Sequence, residues 1–270
     1  MTMLVDASGV ELTLAVAPRR IVSLVPSITE LLFALGVGEA VVGCTLYCTE
    51  PREAVASRPR VGGQKNPRLD LIRDLGADLV VANVEENLRE HVDALRSWGI
   101  AVYVTYPRTV AEGIGLVRDL GAIVGAAERG VALASRLEDK LGARSAARDG
   151  RPPVHVFCPI WRHPYMTINR DTYVHDMLKV CGGDNVFADA AVRYPEIMLA
   201  DVARAGPEVI LLPDEPYRFR HVHIADFSPY PEMPAVRNGR IHLVDGRLLC
   251  WYGPRIGEAL DVLPALLCPS

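Results

Sequence analysis

Leu71 to Asn87 reads LIRDLGADLVVANVEEN, and Val202 to Tyr217, about 130 residues further on, reads VARAGPEVILLPDEPY. Both stretches hold a short helical segment, a glycine (Gly76, Gly206), an acid two residues later (Asp78, Glu208), and a continuous apolar run. Each then enters an acidic loop, Glu85-Glu86 in one and Asp214-Glu215 in the other. A second echo links IVSLVPSITELLFALGVGEAVVG, from Ile21, with VHVFCPIW, from Val154, and the DMLKVCGGDNVF that follows it. These units run strand, loop, helix, glycine-rich stop. Self-similarity at so long a period means two copies of one supersecondary unit. Two facing α/β lobes make a cleft, and such clefts are where small ligands bind.

Outward from the repeat, strand and helix patterns alternate through Tyr106, which calls for a parallel sheet with crossover helices. Ser27 or Thr29 is placed to cap a helix starting near Ile28, with Gly36 and Gly38 as its stop. Residues 1–18 read as a peripheral hairpin around a Ser-Gly turn. Thr109 to Gly150 holds no strand pattern. Val131, Leu133, Leu137 and Leu141 recur at roughly helical spacing, so 126–147 reads as one long helix, ended by Arg151-Pro152-Pro153. The expected fold is α/β: two Rossmann-like lobes with parallel sheets joined by one long backbone helix. The expected divisions are a hairpin at 1–18, a lobe at 19–121, a connecting helix at 122–150 and a second lobe at 151–270. A helical strut of this kind resists large relative motion, so a modest closure is expected.

The 270 residues suffice for two cores, and half of them are hydrophobic. A net charge of −4 leaves no electrostatic footprint for nucleic acid. No apolar run approaches the roughly 18 residues of a membrane span. The N-terminus, MTMLVDASGVELTLAVAPRR, has no basic, then apolar, leader pattern, so the expectation is either a cytoplasmic protein or one whose leader has been trimmed away. The six cysteines, Cys44, Cys48, Cys158, Cys181, Cys250 and Cys268, are too sparse for a disulfide framework and read as reduced thiols.

Ligand contacts are expected on loops at the carboxyl ends of the strands. Aromatic residues form only 6% of the chain, yet Tyr47, Trp161, Tyr165, Tyr194, Trp251 and Tyr252 all fall on such loops. Flat, bulky ligands suit them, each contact adding about 0.5–1.5 kcal/mol beyond area burial. The alternative for Trp161 and Trp251 is domain packing. Lys65 and Arg162 are placed to pair with ligand carboxylate, phosphate or amide groups, with Ser27, Asn66, Asn83 and His163 as further polar contacts. Arg255, on the final helix, reads as a structural ion pair. Cys48, in TLYCTEP, Tyr47 and the histidines are the side chains that could reach a ligand's metal, a thiolate or phenolate suiting Fe(III) or cobalt. His221-Val-His223 with Asp226 carries zinc-type residues but lacks a second spaced pair, so no resident metal site is expected. Gly36-Val-Gly38 follows a helix instead of opening one, which excludes a dinucleotide loop. No G-x-S-x-G or H-E-x-x-H occurs, and no nucleophile, base and orienting group assemble, so no catalytic residue is assigned.

RIVSLVPSITELLFALG, VGGQKNPRLDLIRDLGADLVVAN, DMLKVCGGDNVF, VARAGPEVILL and WYGPRIGEAL together resemble the helical-backbone substrate-binding proteins of ABC importers for cobalamin, haem and ferric siderophores. WRHPYMT and WYGPR resemble the cobalamin-binding branch most. The resemblance covers residues 19 to 266. It implies a monomeric, non-enzymatic protein that captures a metal chelate, a corrinoid first, between its lobes, has no cofactor of its own and hands the ligand to a permease. It implies an extracytoplasmic location, which fits the second of the two readings of the N-terminus. The family's lobe-tip glutamates fall at Arg89 and Ala200, with the acids Glu90 and Asp201 beside them as the expected permease contacts. Positions where corrinoid binders place tryptophan are Gln64 and Asn83 here. Two alternatives stand beside the corrinoid importer reading: a haem or ferric-siderophore binder, and a cytoplasmic relative that stores or senses a cofactor without a transporter.

Overall fold

The computed structural model describes residues 2–148 and 150–267; Cys268, read above as a reduced thiol, lies outside the described residues. The elements of the first part are β1 (Thr2–Val5), β2 (Glu11–Leu14), β3 (Ile21–Ser23), α1 (Pro26–Ala34), β4 (Val41–Cys44), α2 (Arg52–Ala56), α3 (Leu69–Asp74), β5 (Leu79–Asn83), α4 (Arg89–Ser97), β6 (Ala101–Thr105), α5 (Val110–Ile123) and α6 (Ala127–Arg148). There follow β7 (Val154–Phe157), β8 (Tyr165–Met166), α7 (Tyr173–Cys181), β9 (Gly183–Asn185), β10 (Glu196–Ile197), α8 (Leu199–Ala205), β11 (Val209–Pro213), α9 (Pro234–Arg237), β12 (Ile241–Val244), α10 (Arg247–Cys250) and α11 (Arg255–Leu267). The chain forms two compact units. One comprises residues 1–107, 111–137 and 252–254; the other comprises 108–110, 138–251 and 255–270. The division falls inside α6, after Leu137.

In the first unit a parallel four-stranded sheet runs β4-β3-β5-β6. In the second the order is β12-β11-β7-β9, again parallel. Numbered within each unit, both sheets read 2-1-3-4, so the echo in the sequence is an echo in topology. Its central strands, β5 and β11, are buried along their whole length, which is why they appear as unbroken apolar runs. Gly76 and Gly206 follow α3 and α8, and both have φ of 61°, a left-handed conformation that glycine adopts without steric cost. The repeated acid also has a common task. Asp78 accepts hydrogen bonds from the amides of Arg19 and Arg20 (2.8 and 2.9 Å), just before β3, and Glu208 accepts one from the His155 amide in β7 (3.0 Å). In each unit the acid satisfies amides at the start of the first strand and ties it to the third.

The first core is built on Val22, Leu24, Ile72, Val80, Ala82, Leu95 and Val102, and the second on Phe157, Val202, Ile210, Leu212, Phe227 and Met233. The N-terminal hairpin is antiparallel, pairing Thr2 with Leu14 and Val5 with Glu11. Helix α1 starts at Pro26, two residues earlier than the sequence reading. Its N-cap, Val25, makes no side-chain cap, and Thr29 Oγ1 instead bonds the Val25 carbonyl (3.1 Å). Proline at the first helical position supplies the start that a cap would otherwise give.

Helices α5 and α6 are separate, with Gly125 at φ 74° between them. They cross at a glycine pair: a Cβ on Gly130 would lie 3.0 Å from the Gly121 Cα and from the Val117 carbonyl oxygen. Gly130→Ala should therefore lower stability by about 1–3 kcal/mol through overpacking. Gly142, on the same helix, faces open space, and Gly142→Ala should raise stability by about 0.5–1 kcal/mol. Urea denaturation of the two variants side by side tests the opposite signs. Among the described residues no helix is long and apolar enough to cross a membrane.

Candidate functional site: the carboxyl ends of the two sheets

In a 2-1-3-4 sheet the chain reverses direction between strands 1 and 3, and ligands of open α/β sheets bind outside the carboxyl ends at that point. In the first unit this is the crevice between β3 and β5, and in the second that between β7 and β11.

The second unit's crevice is aromatic. After β7 the chain turns through a tight hairpin in which the Ile160 amide bonds the Met166 carbonyl (2.8 Å) and the Met166 amide bonds the Trp161 carbonyl (3.2 Å). Tyr165 and Met166 pair in turn with Ile197 and Glu196 of β10. The hairpin tip holds His163, exposed, at φ 65°, a conformation few non-glycine residues adopt. Trp161 is 43% exposed and meets Tyr217 edge-on, with ring centroids 5.5 Å apart. Tyr217 contacts Phe219 at 4.8 Å, Phe219 stacks on Tyr165 at 6.2 Å, and Tyr165 meets Phe227, which reaches Phe157 of β7. His223 lies 5.7 Å from both Tyr217 and Phe219. An unbroken chain of rings thus descends from an open indole into the core, and pairs of this geometry hold one another in place.

Arg162 is not free to meet a ligand anion. Its Nε and Nη2 donate to both carboxylate oxygens of Asp226, at 2.6 and 2.9 Å, and Tyr165 OH donates to the same carboxylate at 2.5 Å. This bidentate bond holds the Asp226 carboxyl below the usual carboxylate range and raises the guanidinium further. Burial, followed by the bond to Asp226, pushes the Tyr165 phenol up. His223 is pushed down by burial and then by the nearby Arg162 charge, and its Nδ1 accepts from the Arg220 amide at 3.0 Å. It is therefore a neutral ring bearing its proton on Nε2. The His221-Val-His223 segment forms a 3-10 helix, His221–Phe227. Among the described residues no group of three or more His, Cys, Asp or Glu side chains is set to hold a metal.

Trp251 departs from the expected open position. It is only 4% exposed, its Nε1 donates to Glu215 Oε2 at 3.0 Å, and the Arg247 guanidinium sits 5.9 Å from the ring. Tyr252 is likewise buried, while Tyr194 is partly exposed with Arg193 over its ring at 5.6 Å. Arg255 pairs with Glu258 at 2.8 Å, as its place on the last helix leads one to expect. An open depression of about 470 Å³ lies at the ends of β11 and β12, lined by Asp214, Arg218, Arg220, His221, Asp245 and Arg247. It sits on the far side of β11 from the reversal point, and Arg247 is already paired with Asp245 at 2.7 Å.

The first unit's crevice is polar. Ser27 and Asn83 are buried. Asn83 Oδ1 accepts from the Glu85 amide (2.8 Å), its Nδ2 reaches Thr105 Oγ1 (3.1 Å), and its own amide donates to Asn87 Oδ1 (2.8 Å). Its side chain is consumed in shaping the turn after β5. Asn87 Nδ2 holds the Gln64 carbonyl at 3.0 Å, Gln64 bonds Glu86, and Lys65 Nζ donates to the Glu85 carbonyl at 2.5 Å, so the 62–66 and 83–87 loops form one ledge. Asn66 is exposed beside it. Tyr47 stands 59% exposed on the neighbouring loop, next to exposed Leu46. Glu90 and Asp201 occupy the first turns of α4 and α8, where carboxylates suit the helix dipole; Asp201 is paired with Arg204.

The structure brings Trp161, Arg162, His163 and Tyr165 together on one hairpin, and Lys65 and Asn83 onto one ledge with Asn66 beside it. The sequence reading misses Tyr217, Phe219, His223 and Asp226 as members of the aromatic wall and its bracing. The alternation Tyr217-Arg218-Phe219 after β11 was the available signal, since alternate residues of an extended chain share a face.

Residues 21–248 match the family described as periplasmic binding protein. The vitamin B12-binding protein of Salmonella typhimurium is 32% identical over 196 residues, 73% of each chain. Among solved structures, the periplasmic vitamin B12-binding protein BtuF of Vibrio cholerae superposes with a TM-score of 0.82 at 24% identity, covering 92% of this chain and 96% of that one. The periplasmic haem-binding protein RhuT of Roseiflexus sp. RS-1 gives 0.80 at 29% identity, covering 92% and 97%. The α/β fold, the paired 2-1-3-4 sheets and this match over most of the length agree: the chain belongs to the periplasmic binding protein family.

Proposed function

We propose that this protein is a carrier that binds a flat metal chelate, a corrinoid in the first instance, and releases it unchanged to an ABC permease. The reading rests on one observation above the rest: Trp161, an open indole at the head of a braced aromatic wall at the chain-reversal point of its sheet. A ring system laid against Trp161 gains contact area without requiring the wall to rearrange, because Tyr217, Phe219 and Tyr165 already hold each other. Tyr47 and the Gln64–Asn66 ledge offer the first unit's own contacts. The relatives named for vitamin B12 and for haem leave both chelates as ligands of this family. The pairing of Arg162 with Asp226 favours the corrinoid, since amide-fringed rings need no guanidinium, whereas haem propionates would find this one already engaged. Similarity to RhuT supports haem as the second reading. Glu90 and Asp201 are the carboxylates that would meet permease arginines, and a carrier serving such a permease works outside the cytoplasmic membrane.

Titration of the purified protein with cobalamin, haemin and a ferric siderophore, followed by tryptophan fluorescence, tests the reading. Cobalamin should saturate it and leave its visible spectrum chemically unchanged. Trp161→Ala should weaken that binding tenfold or more, about 1.4 kcal/mol, with little loss of stability. Tighter binding of haemin than cobalamin would replace the first reading by the second, and no binding of any chelate would remove both.

A further inference from the structure

The geometry points to the depression at the ends of β11 and β12 as a second binding site, for a small organic phosphate. Its volume of about 470 Å³ lies within the range that holds small organic ligands. Its floor is apolar: Leu212, Phe219 and Val244 line it and are buried. Its rim is cationic: Arg218, Arg220 and His221 line it and are exposed. Of the aromatic wall it shares only Phe219. The chain sets the two arginines on one side. Arg220 is extended, at φ −140° and ψ 166°, and Phe219 between the pair is 3% exposed. Alternate residues of an extended chain share a face, so a buried Phe219 turns Arg218 and Arg220 outward together. The Phe219 amide donates to the carbonyls of Pro213 and Tyr217, at 3.1 and 3.0 Å, and its ring packs against Tyr217 and Tyr165. That anchor fixes where both guanidinium stems begin.

Among the described residues neither Arg218 nor Arg220 forms an ion pair. The carboxylates nearby are engaged elsewhere. Asp245 takes the Arg247 guanidinium through both oxygens, at 2.7–3.1 Å. Asp214 Oδ1 accepts from the Gly246 amide at 2.8 Å, and Asp226 holds Arg162. The chain as a whole carries −4, yet here two guanidiniums without a counter-ion are gathered in one hollow. Like charges in a concave site with low-dielectric walls repel one another and concentrate anions from solution. A phosphoryl group fits the donors present. It has three acceptor oxygens, one each for Arg218, Arg220 and His221, whereas a carboxylate offers two, suited to a single guanidinium fork. The apolar floor takes an organic body, which inorganic phosphate lacks.

Calorimetric titration in phosphate-free buffer tests the site with phenyl phosphate, inorganic phosphate and benzoate. Phenyl phosphate should bind saturably and more tightly than the other two. Arg218→Gln and Arg220→Gln should each weaken it about tenfold, roughly what one charge-assisted hydrogen bond is worth, and together abolish it. Both side chains are exposed, so the urea midpoints of the variants should match the wild type. The double variant should bind cobalamin as the wild type does. Absence of saturable phenyl phosphate binding, benzoate or inorganic phosphate bound as tightly, or binding that survives both substitutions would overturn the assignment. A double variant that also loses cobalamin would make the depression part of the chelate site and overturn it as a second one. The phenyl phosphate titration stands whether or not any chelate binds, so the two readings can fail separately.

Discussion

Trp251→Ala lowers the unfolding free energy by about 3–5 kcal/mol, the range for truncating a buried tryptophan, whereas Trp161→Ala leaves stability nearly unchanged. Trp161 follows β7 and Trp251 follows β12 and the short helix α10, and their burial separates them, 43% exposed against 4%. Removing the Trp251 ring opens a cavity and also strips Glu215 of its indole donor. Glu215 is half-buried. Burial pushes its carboxyl above the ordinary range, the Trp251 bond opposes that shift, and Asp214 adds to it. A carboxyl raised in the folded state favours folding fully below the unfolded value, about pH 4.3, and that contribution is lost as pH rises through the folded value. At neutral pH the folded protein therefore carries an expensive carboxylate whose indole donor is Trp251. The Trp251→Ala deficit should be largest near neutrality and shrink towards pH 4, where Glu215 is protonated. Glu215→Gln keeps an acceptor for the indole without the charge and should be neutral or stabilising at pH 7. Urea midpoints at the two pH values measure all three; a pH-independent deficit would show that the cavity alone accounts for the loss.

What the sequence discloses follows from how local each cause is. The strands β5 and β11 announce themselves because sheets covered on both faces need unbroken apolar runs. Gly76 and Gly206 are legible because a left-handed residue after a helix is a backbone requirement met within one turn. The purpose of Asp78 is not local: it bonds amides 58 and 59 residues away, so the repeat shows the acid without its partner. The same limit governs the site. That Trp251 is a buried donor depends on Glu215, 36 residues earlier, and that Arg162 is neutralised depends on Asp226, 64 residues later. Loop position predicts Trp161 and Trp251 alike, and only tertiary partners distinguish them. Asn83 shows the same limit at shorter range. An asparagine at a strand's end is as apt to bond its own turn as a ligand, and here the Glu85 amide and Thr105 hydroxyl take it.

Asp6→Ala should lower the stability of the first unit by about 3 kcal/mol, because one carboxylate holds the N-terminal hairpin in place. Asp6 Oδ1 accepts from the Ser8 amide (2.8 Å), Ser8 Oγ (2.7 Å) and the Val10 amide (3.0 Å), and Oδ2 accepts from Arg96 Nη2 (2.6 Å) and the Val104 amide (3.1 Å). Its side chain is fully buried, while that of Arg96 keeps 22% exposure. The expected loss sits at the lower end of the range for breaking a buried pair, since Arg96 retains water and the Val102 carbonyl at 3.2 Å. The Val104 amide, deep on β6, loses its side-chain acceptor, and that cost is not recovered. Burial pushes the Asp6 carboxyl up, but the bonds from Ser8, Val10 and Val104 outweigh it and hold the group below its usual range. A carboxyl depressed in the folded state contributes fully above its unfolded value, about pH 3.9, and the contribution is lost as pH falls through the folded value. The gap between wild type and Asp6→Ala should thus stay constant from neutrality to about pH 4 and close only below it. Limited proteolysis supplies the local readout: cleavage within residues 2–18 should rise in the variant while the second unit's peptides stay protected. An unchanged cleavage pattern together with an undiminished urea midpoint would mean that the hairpin is held by its backbone bond from Ala7 to Val104 (2.9 Å) and not by the carboxylate.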